Sequence, residues 1–117
     1  MRFLFFFSQN LVTAAKDGSI KVWNDDGGLE IAFVGHHGSV NALAVYPFGQ
    51  FIISASSDMT IRVWSLKAKD EVDRMQCDNP IEGIGTVAGN DNLYSFTSEG
   101  IDLWKIKHIH TACTLIG

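Results

Sequence analysis

A serine nucleophile needs a histidine base and a carboxylate that orients the imidazole, and His36, Ser54, Ser56, Ser57 and Asp58 bring all three side-chain types into one stretch of this 117-residue chain. What surrounds them lacks a nucleophile elbow and the donors of an oxyanion hole, so the triad reading fails on context. The adjacent carboxylates Asp25 and Asp26 have the chemistry of an acid and base pair. They lie in Asn24-Asp25-Asp26-Gly27-Gly28, however, where Asn, Asp and Gly favour a tight solvated turn, and a solvated carboxylate lacks the burial that shifts its pKa. His108 and His110 would project two imidazoles from one face of a strand, as a metal site requires, but no third ligand accompanies them. Glu82-Gly83-Ile84-Gly85 has neither the GxGxxG spacing nor the P-loop lysine of a phosphate cradle and reads as an irregular strand. The residues thus predict no catalytic set, no metal and no cofactor.

Their spacing carries a different message. Leu11 to Trp23, LVTAAKDGSIKVW, recurs at Ile52 to Trp64 as IISASSDMTIRVW, which places Asp17 on Asp58 and Trp23 on Trp64 after 41 residues. A weaker copy at Leu93 to Trp104, LYSFTSEGIDLW, puts its Trp 40 residues further on. Self-similarity at this period is the mark of a repeat array in which each unit is one supersecondary element.

Composition sets the bounds. With 46% hydrophobic and 19% charged residues, 11 Gly and 2 Pro, the chain is globular rather than disordered. A net charge of −4 and the alternating signs of Lys67 to Arg74 offer no basic stripe to a phosphate backbone, so nucleic acid is not an expected partner. No apolar run is long enough to span a bilayer, and Phe3 to Phe7 is too short for the core of a secretion signal, so no membrane is expected. Cys77 and Cys113, far apart and only two, make no disulfide framework, which fits an intracellular, cytoplasmic setting.

Within one period the signals are those of four short strands. Val40 to Val45 is apolar or alternating, Tyr46-Pro47-Phe48-Gly49 turns the chain into Phe51-Ile52-Ile53, and Ser57-Asp58-Met59 reverses it into Thr60 to Trp64, rich in β-branched residues. Glu71 to Gln76 is polar, as suits an outer edge strand. The same reading gives strands near 11–15, 19–23 and 29–34 upstream and near 81–87, 92–97, 101–106 and 109–116 downstream.

On Gly35-His36, the variable stretch after it and Trp64, the chain resembles the WD-repeat family of β-propellers. The resemblance implies an all-β fold: about three four-stranded antiparallel propeller blades, in an open arc rather than a closed ring. The units are approximately 1–34, incomplete; 35–75, complete; and 76–117, degenerate. It also implies a buried hydrogen-bonded tetrad, whose matching residues are His36, Ser54, Asp58 and Trp64, with a partial set, Thr13, Asp17 and Trp23, in the first unit. In the third unit Cys77 stands where the His would be and Glu99 only approximates the Asp, so that tetrad cannot form. None of the three Trp residues is followed by Asp, and the Trp-Asp-x-Arg element of ubiquitin-ligase adaptors is absent.

The family further implies a non-catalytic scaffold for protein or peptide partners. Lys16, His37, Ser39, Asn41 and Ser57 lie in or beside the loops that would form its contact rim. Three units are fewer than a propeller ring uses, which predicts either a piece of a larger propeller protein, with no independent function, or a homo-oligomer joined through exposed blade faces.

Overall fold

The computed structural model describes residues 3–7, 10–46, 51–86, 92–107 and 114–116. Among the described residues twelve strands run in chain order: β1 (Phe3–Phe7), β2 (Asn10–Ala14), β3 (Ile20–Trp23), β4 (Leu29–Phe33), β5 (Val40–Tyr46), β6 (Phe51–Ser56), β7 (Thr60–Ser65), β8 (Asp70–Gln76), β9 (Gly83–Thr86), β10 (Asn92–Thr97), β11 (Gly100–Lys107) and β12 (Thr114–Ile116). They form three four-stranded antiparallel meanders, β1 to β4, β5 to β8 and β9 to β12, each strand paired with its sequence neighbour. The described residues contain no helix.

Sequence period and sheet register coincide. Val12 pairs with Val22 and Ala14 with Ile20 in the first sheet, Ile53 with Val63 and Ala55 with Ile61 in the second, Tyr94 with Leu103 and Phe96 with Ile101 in the third. Because successive strand residues point to opposite faces, these pairs define one face of each sheet, and Leu11–Trp23, Ile52–Trp64 and Leu93–Trp104 define the other. The sheets stack face to face. Val12, Ala14, Ile20 and Val22 pack on Val40, Leu43, Ile52 and Trp64 of the second sheet, and Phe33 closes the seam with its ring 5.0 Å from that of Trp64. Ile53, Ala55, Ile61 and Val63 pack in turn on Cys77, Ile81, Leu93 and Trp104 of the third.

Burial follows from the stacking. Every residue of β6 and β7 is buried, since the middle sheet is covered on both faces, whereas β2 and β3 bury only alternate residues because the first sheet is covered on one. On the third sheet the uncovered face leaves Phe96, Ile101 and Leu103 38%, 65% and 51% exposed. The arc is open. Strand β8 is the polar edge anticipated for Glu71 to Gln76, while the strand expected at 81–87 begins at Gly83, because the Ile81 backbone turns to the neighbouring sheet: its N–H donates to the Ser56 carbonyl and its carbonyl accepts from Asn41 Nδ2 at 2.9 Å; residue 87 lies outside the described residues. The tail strand expected at 109–116 is seen as β12, and its first half lies outside the described residues.

The reversals between second and third strands share one construction. Asp17 Oδ1 accepts from the Ser19 N–H and hydroxyl at 3.0 and 2.7 Å, and Asp58 Oδ1 accepts from the Thr60 N–H and hydroxyl at 2.9 and 2.6 Å. Such Asx turns set the next residue in the left-handed region, where Gly18 has φ 90° and Met59 φ 71°. Gly18 is needed for a second reason: a Cβ there would lie 2.5 Å from the His36 carbonyl oxygen.

Gly27 has the same left-handed backbone, φ 86°, with nothing within 4 Å of its would-be Cβ. Gly27→Ala is therefore expected to cost about 1–2 kcal/mol, the left-handed penalty alone. Gly18→Ala should cost clearly more, because the backbone carbonyl it meets cannot rotate aside. Urea unfolding of the two variants measures the difference through the midpoint at constant slope, and equal losses would disprove the close contact between the turn and the His36 backbone.

Candidate functional site

At the seam between the first two sheets, the loop from β4 to β5 carries His36 inward beneath the β6–β7 turn. Gly35 permits that approach, since a Cβ on it would lie 2.6 Å from Arg62 Nη1 and 2.9 Å from the Trp64 ring. Trp64 Nε1 donates to Ser54 Oγ at 2.7 Å, Ser54 Oγ meets His36 Nε2 at 2.6 Å, and His36 Nδ1 meets Asp58 Oδ2 at 2.9 Å. The proton directions follow from the two ends: the Asp58 carboxylate can only accept, so Nδ1 carries the imidazole proton, and burial favours the neutral ring, whose unprotonated Nε2 accepts from the Ser54 hydroxyl. The structure thus brings His36, Ser54, Asp58 and Trp64 into one chain, with every donor used.

Three residues outside that set extend it. Thr60 Oγ1 lies 3.1 Å from His36 Nδ1, Arg62 Nε donates to Thr60 Oγ1 at 3.2 Å, and Arg62 Nη1 donates to Glu71 Oε1 at 3.2 Å, which Arg74 also grips. The guanidinium of Arg62 is buried, with its second nitrogen 3.8 Å from Asp58, so its charge is balanced by two carboxylates. The available signal was the hydroxyl two residues after each Asp, Ser19 and Thr60; Arg62 carries no such repeat, since Lys21 stands in its register.

The geometry is that of a serine, histidine and carboxylate relay, but its oxygen is shut in. Ser54 is 0% exposed and its Oγ is occupied by the Trp64 indole, so no substrate carbonyl has a path to it. Ser56 Oγ accepts from the Asp58 N–H instead, at 3.1 Å. In the first sheet Trp23 Nε1 donates to Thr13 Oγ1 at 3.0 Å, while Asp17 holds its turn. In the third, Trp104 Nε1 donates to Ser95 Oγ at 2.9 Å. Cys77, in the register of His36, is buried, and burial with Asp102 and Asp78 nearby pushes its thiol up to about 11, leaving a neutral packing residue. Among the described residues no group of three or more His, Cys, Asp and Glu could hold a metal ion, and His108 and His110 lie outside them.

Of the residues assigned to a contact rim, Lys16, His37 and Ser57 are exposed around the same seam. Ser39 is partly covered: its carbonyl accepts from the Ser57 N–H at 3.0 Å, and its Oγ is buried without a partner. Asn41 is partly buried, beside a register shift between Val40 and Ala42, and its side-chain amide donates to the Ile81 carbonyl, which fastens two blades.

The chain of donors sets the response to acid. Burial pushes the pKa of His36 below its ordinary 6.5 against the opposing pull of Asp58. Burial would raise Asp58, but hydrogen bonds from Thr60, His36 and the His37 N–H outweigh it and hold the carboxyl well below 3.8. Both folded pKa values are depressed, so the unfolded chain binds more protons and each contribution is lost as pH falls. His36 acts first, below about 6.5, and Asp58 only below about 3.8. Melting temperature should fall as pH drops from 7 to 5 in the wild type and stay level in His36→Gln; a level wild-type profile would exclude a neutral buried imidazole. At pH 7, Asp58→Ala and Ser54→Ala should each lower the melting temperature, every stranded buried group costing about 1–3 kcal/mol, and Trp64→Ala should cost roughly 3–5 kcal/mol. An unchanged melt for Asp58→Ala would sink the tetrad.

Comparison with known proteins agrees with this architecture. The family model "WD domain, G-beta repeat" matches residues 4–24 and 28–65, half of the chain. The chain is 29% identical over 110 residues to WD repeat-containing protein 97 of Homo sapiens, covering 86% of this chain and 7% of that protein. It is 39% identical over 106 residues to Polycomb protein EED of Chaetomium thermophilum, covering 82% of this chain and 19% of that one, so it spans well under a quarter of either relative. Among solved structures, the β-propeller domain of Cps50 (Swd1) from Myceliophteria thermophila superposes with a TM-score of 0.82 at 17% identity over 97% of this chain and 38% of its own, and the computationally designed Ika8 protein with a TM-score of 0.77 at 23% identity over 96% and 34%. Repeat, register, blade stacking and the match to the family model agree: this chain belongs to the WD-repeat family of β-propellers.

Proposed function

We propose that the chain is a non-catalytic scaffold that binds a protein or peptide segment on the rim where its first two blades meet. One observation supports this above the others: three chain segments are fastened together there and leave polar side chains outward. The Val40 N–H donates to the Ala15 carbonyl, the Ser57 N–H to the Ser39 carbonyl, and the His37 N–H to Asp58. The β2–β3 turn, the β4–β5 loop and the β6–β7 turn therefore move as one piece, and Lys16, His37 and Ser57 project from it with little conformational entropy left in the backbone to lose on binding. The scaffold reading also draws on the relatives, whose names place them among WD-repeat and Polycomb proteins.

Lys67 and Lys69 sit in the β7–β8 turn at the opposite end of the sheet and serve as the control. Affinity capture with wild-type protein should retain partners that Lys16→Glu combined with His37→Glu loses by tenfold or more, at unchanged melting temperature. Lys67→Glu with Lys69→Glu should retain them. Equal loss in both variants would dismiss the rim.

A further inference from the structure

We propose that Asp26 is a site of spontaneous backbone isomerisation, at which the Gly27 nitrogen closes a succinimide on the Asp26 carboxyl and water reopens it to isoaspartate. The chain offers this chemistry twice, since Asp17-Gly18 and Asp26-Gly27 are both Asp-Gly pairs. Neither needs a catalyst, because glycine carries no Cβ to hinder ring closure. In the first step the Gly27 nitrogen attacks Cγ of the protonated carboxyl, a C–N bond forms, and the hydroxyl leaves as water with the amide proton. Water then adds back to the imide: opening at the main-chain carbonyl routes the backbone through Cγ, and opening at Cγ restores aspartate. No atoms are gained or lost.

The fold treats the two pairs differently. Both glycine N–H groups donate, Gly18 to the Ala15 carbonyl at 3.2 Å and Gly27 to the Asn24 carbonyl at 3.1 Å, so that bond does not separate them. The carboxyls do. Asp17 Oδ1 is held by the Ser19 hydroxyl and N–H, which lower its pKa and so deplete the neutral acid that must lose water. The Asp26 carboxylate accepts no hydrogen bond among the described residues.

Space separates them further. Gly18 is buried, with its Cα against the carbonyl oxygens of His36 and Gly38, so the backbone rotation that attack requires runs into fixed main chain. Gly27 is exposed, with nothing within 4 Å of its would-be Cβ, and Asp25, Asp26 and Gly28 are exposed beside it. This openness belongs to the turn's place in a blade: the corresponding β7–β8 turn, in the sheet covered on both faces, likewise exposes Lys67, Ala68 and Lys69. The β3–β4 turn also lies at the far end of β4 from the loop that carries His36, so isomerisation there spares the rim. The same change at Asp17 would remove the carboxylate on which the β2–β3 turn is built.

Ageing the 117-residue chain in neutral buffer at body temperature, native and in urea, tests the proposal. Trypsin cuts after Lys16, Lys21 and Arg62, which places Asp17 and Asp26 in separate peptides, and electron-transfer fragmentation locates isoaspartate within each. In the native protein isoaspartate should accumulate at Asp26 roughly tenfold faster than at Asp17, which must open locally before it reacts. In urea the two rates should agree. Equal native rates, or no isoaspartate at Asp26 in the native protein, would overturn the proposal. So would a preference for Asp26 of the same size in urea, which would place the difference in the neighbouring residues rather than in the fold.

Discussion

Polar groups buried in a blade that is apolar on both faces are costly without partners, and in the middle blade a directed run of hydrogen bonds supplies partners to Trp64, Ser54, His36 and Asp58. The Trp64 indole can only donate, Ser54 accepts and passes its own proton to His36, and His36 passes to Asp58, which can only accept. A pure donor at one end and a pure acceptor at the other leave no freedom in the middle, so the tautomer of His36 and the rotor of Ser54 are fixed together. The run crosses from the strand interior to the turn, tying β6, β7 and the incoming loop into one body. Remove its acceptor end and the imidazole loses its orientation; remove its donor end and the core loses its largest buried side chain, Trp64.

The first and third blades each keep the Trp to hydroxyl bond, through Thr13 and Ser95, because that bond lies within one sheet and needs only cross-strand register. The His to Asp part joins a loop to a turn and depends on a residue outside the sheet pairing. Cys77 makes that difference concrete: its backbone N–H still donates to the Met59 carbonyl at 2.7 Å, so the loop is held, but by its main chain and by packing rather than by a side chain.

The period of 41 residues made the blades, their strand order and the His36, Ser54, Asp58 and Trp64 set legible, since each depends on spacing that repeats. Thr60, Arg62 and Glu71 were not legible as a group. Thr60 reads as a β-branched strand former, and the ion pairs of Arg62 join a third strand to a fourth, a distance that only the register of β7 on β8 reveals. The bond from Asn41 to the Ile81 carbonyl was not legible for a related reason: the register shift beside it is a bulge of one residue, which leaves no mark in the hydrophobic pattern.

Stability and presentation meet at consecutive residues. His36 is buried and accepts from Ser54, while His37, one peptide further, is exposed and gives its backbone N–H to the same Asp58 oxygen that receives His36 Nδ1. The carboxylate therefore serves an interior side chain and a surface loop at once. Protonating it, or withdrawing His36 from it, would loosen the loop together with the core, so the outer face of this rim is only as ordered as the hydrogen-bond run beneath it. Lys16, two residues before a glycine that cannot take a side chain against the His36 carbonyl, is bound into the same arrangement from the other blade. The loop between β4 and β5 is thus not a flexible appendage to a rigid sheet; the buried run extends the rigidity of the sheet out to the side chains that a partner would meet.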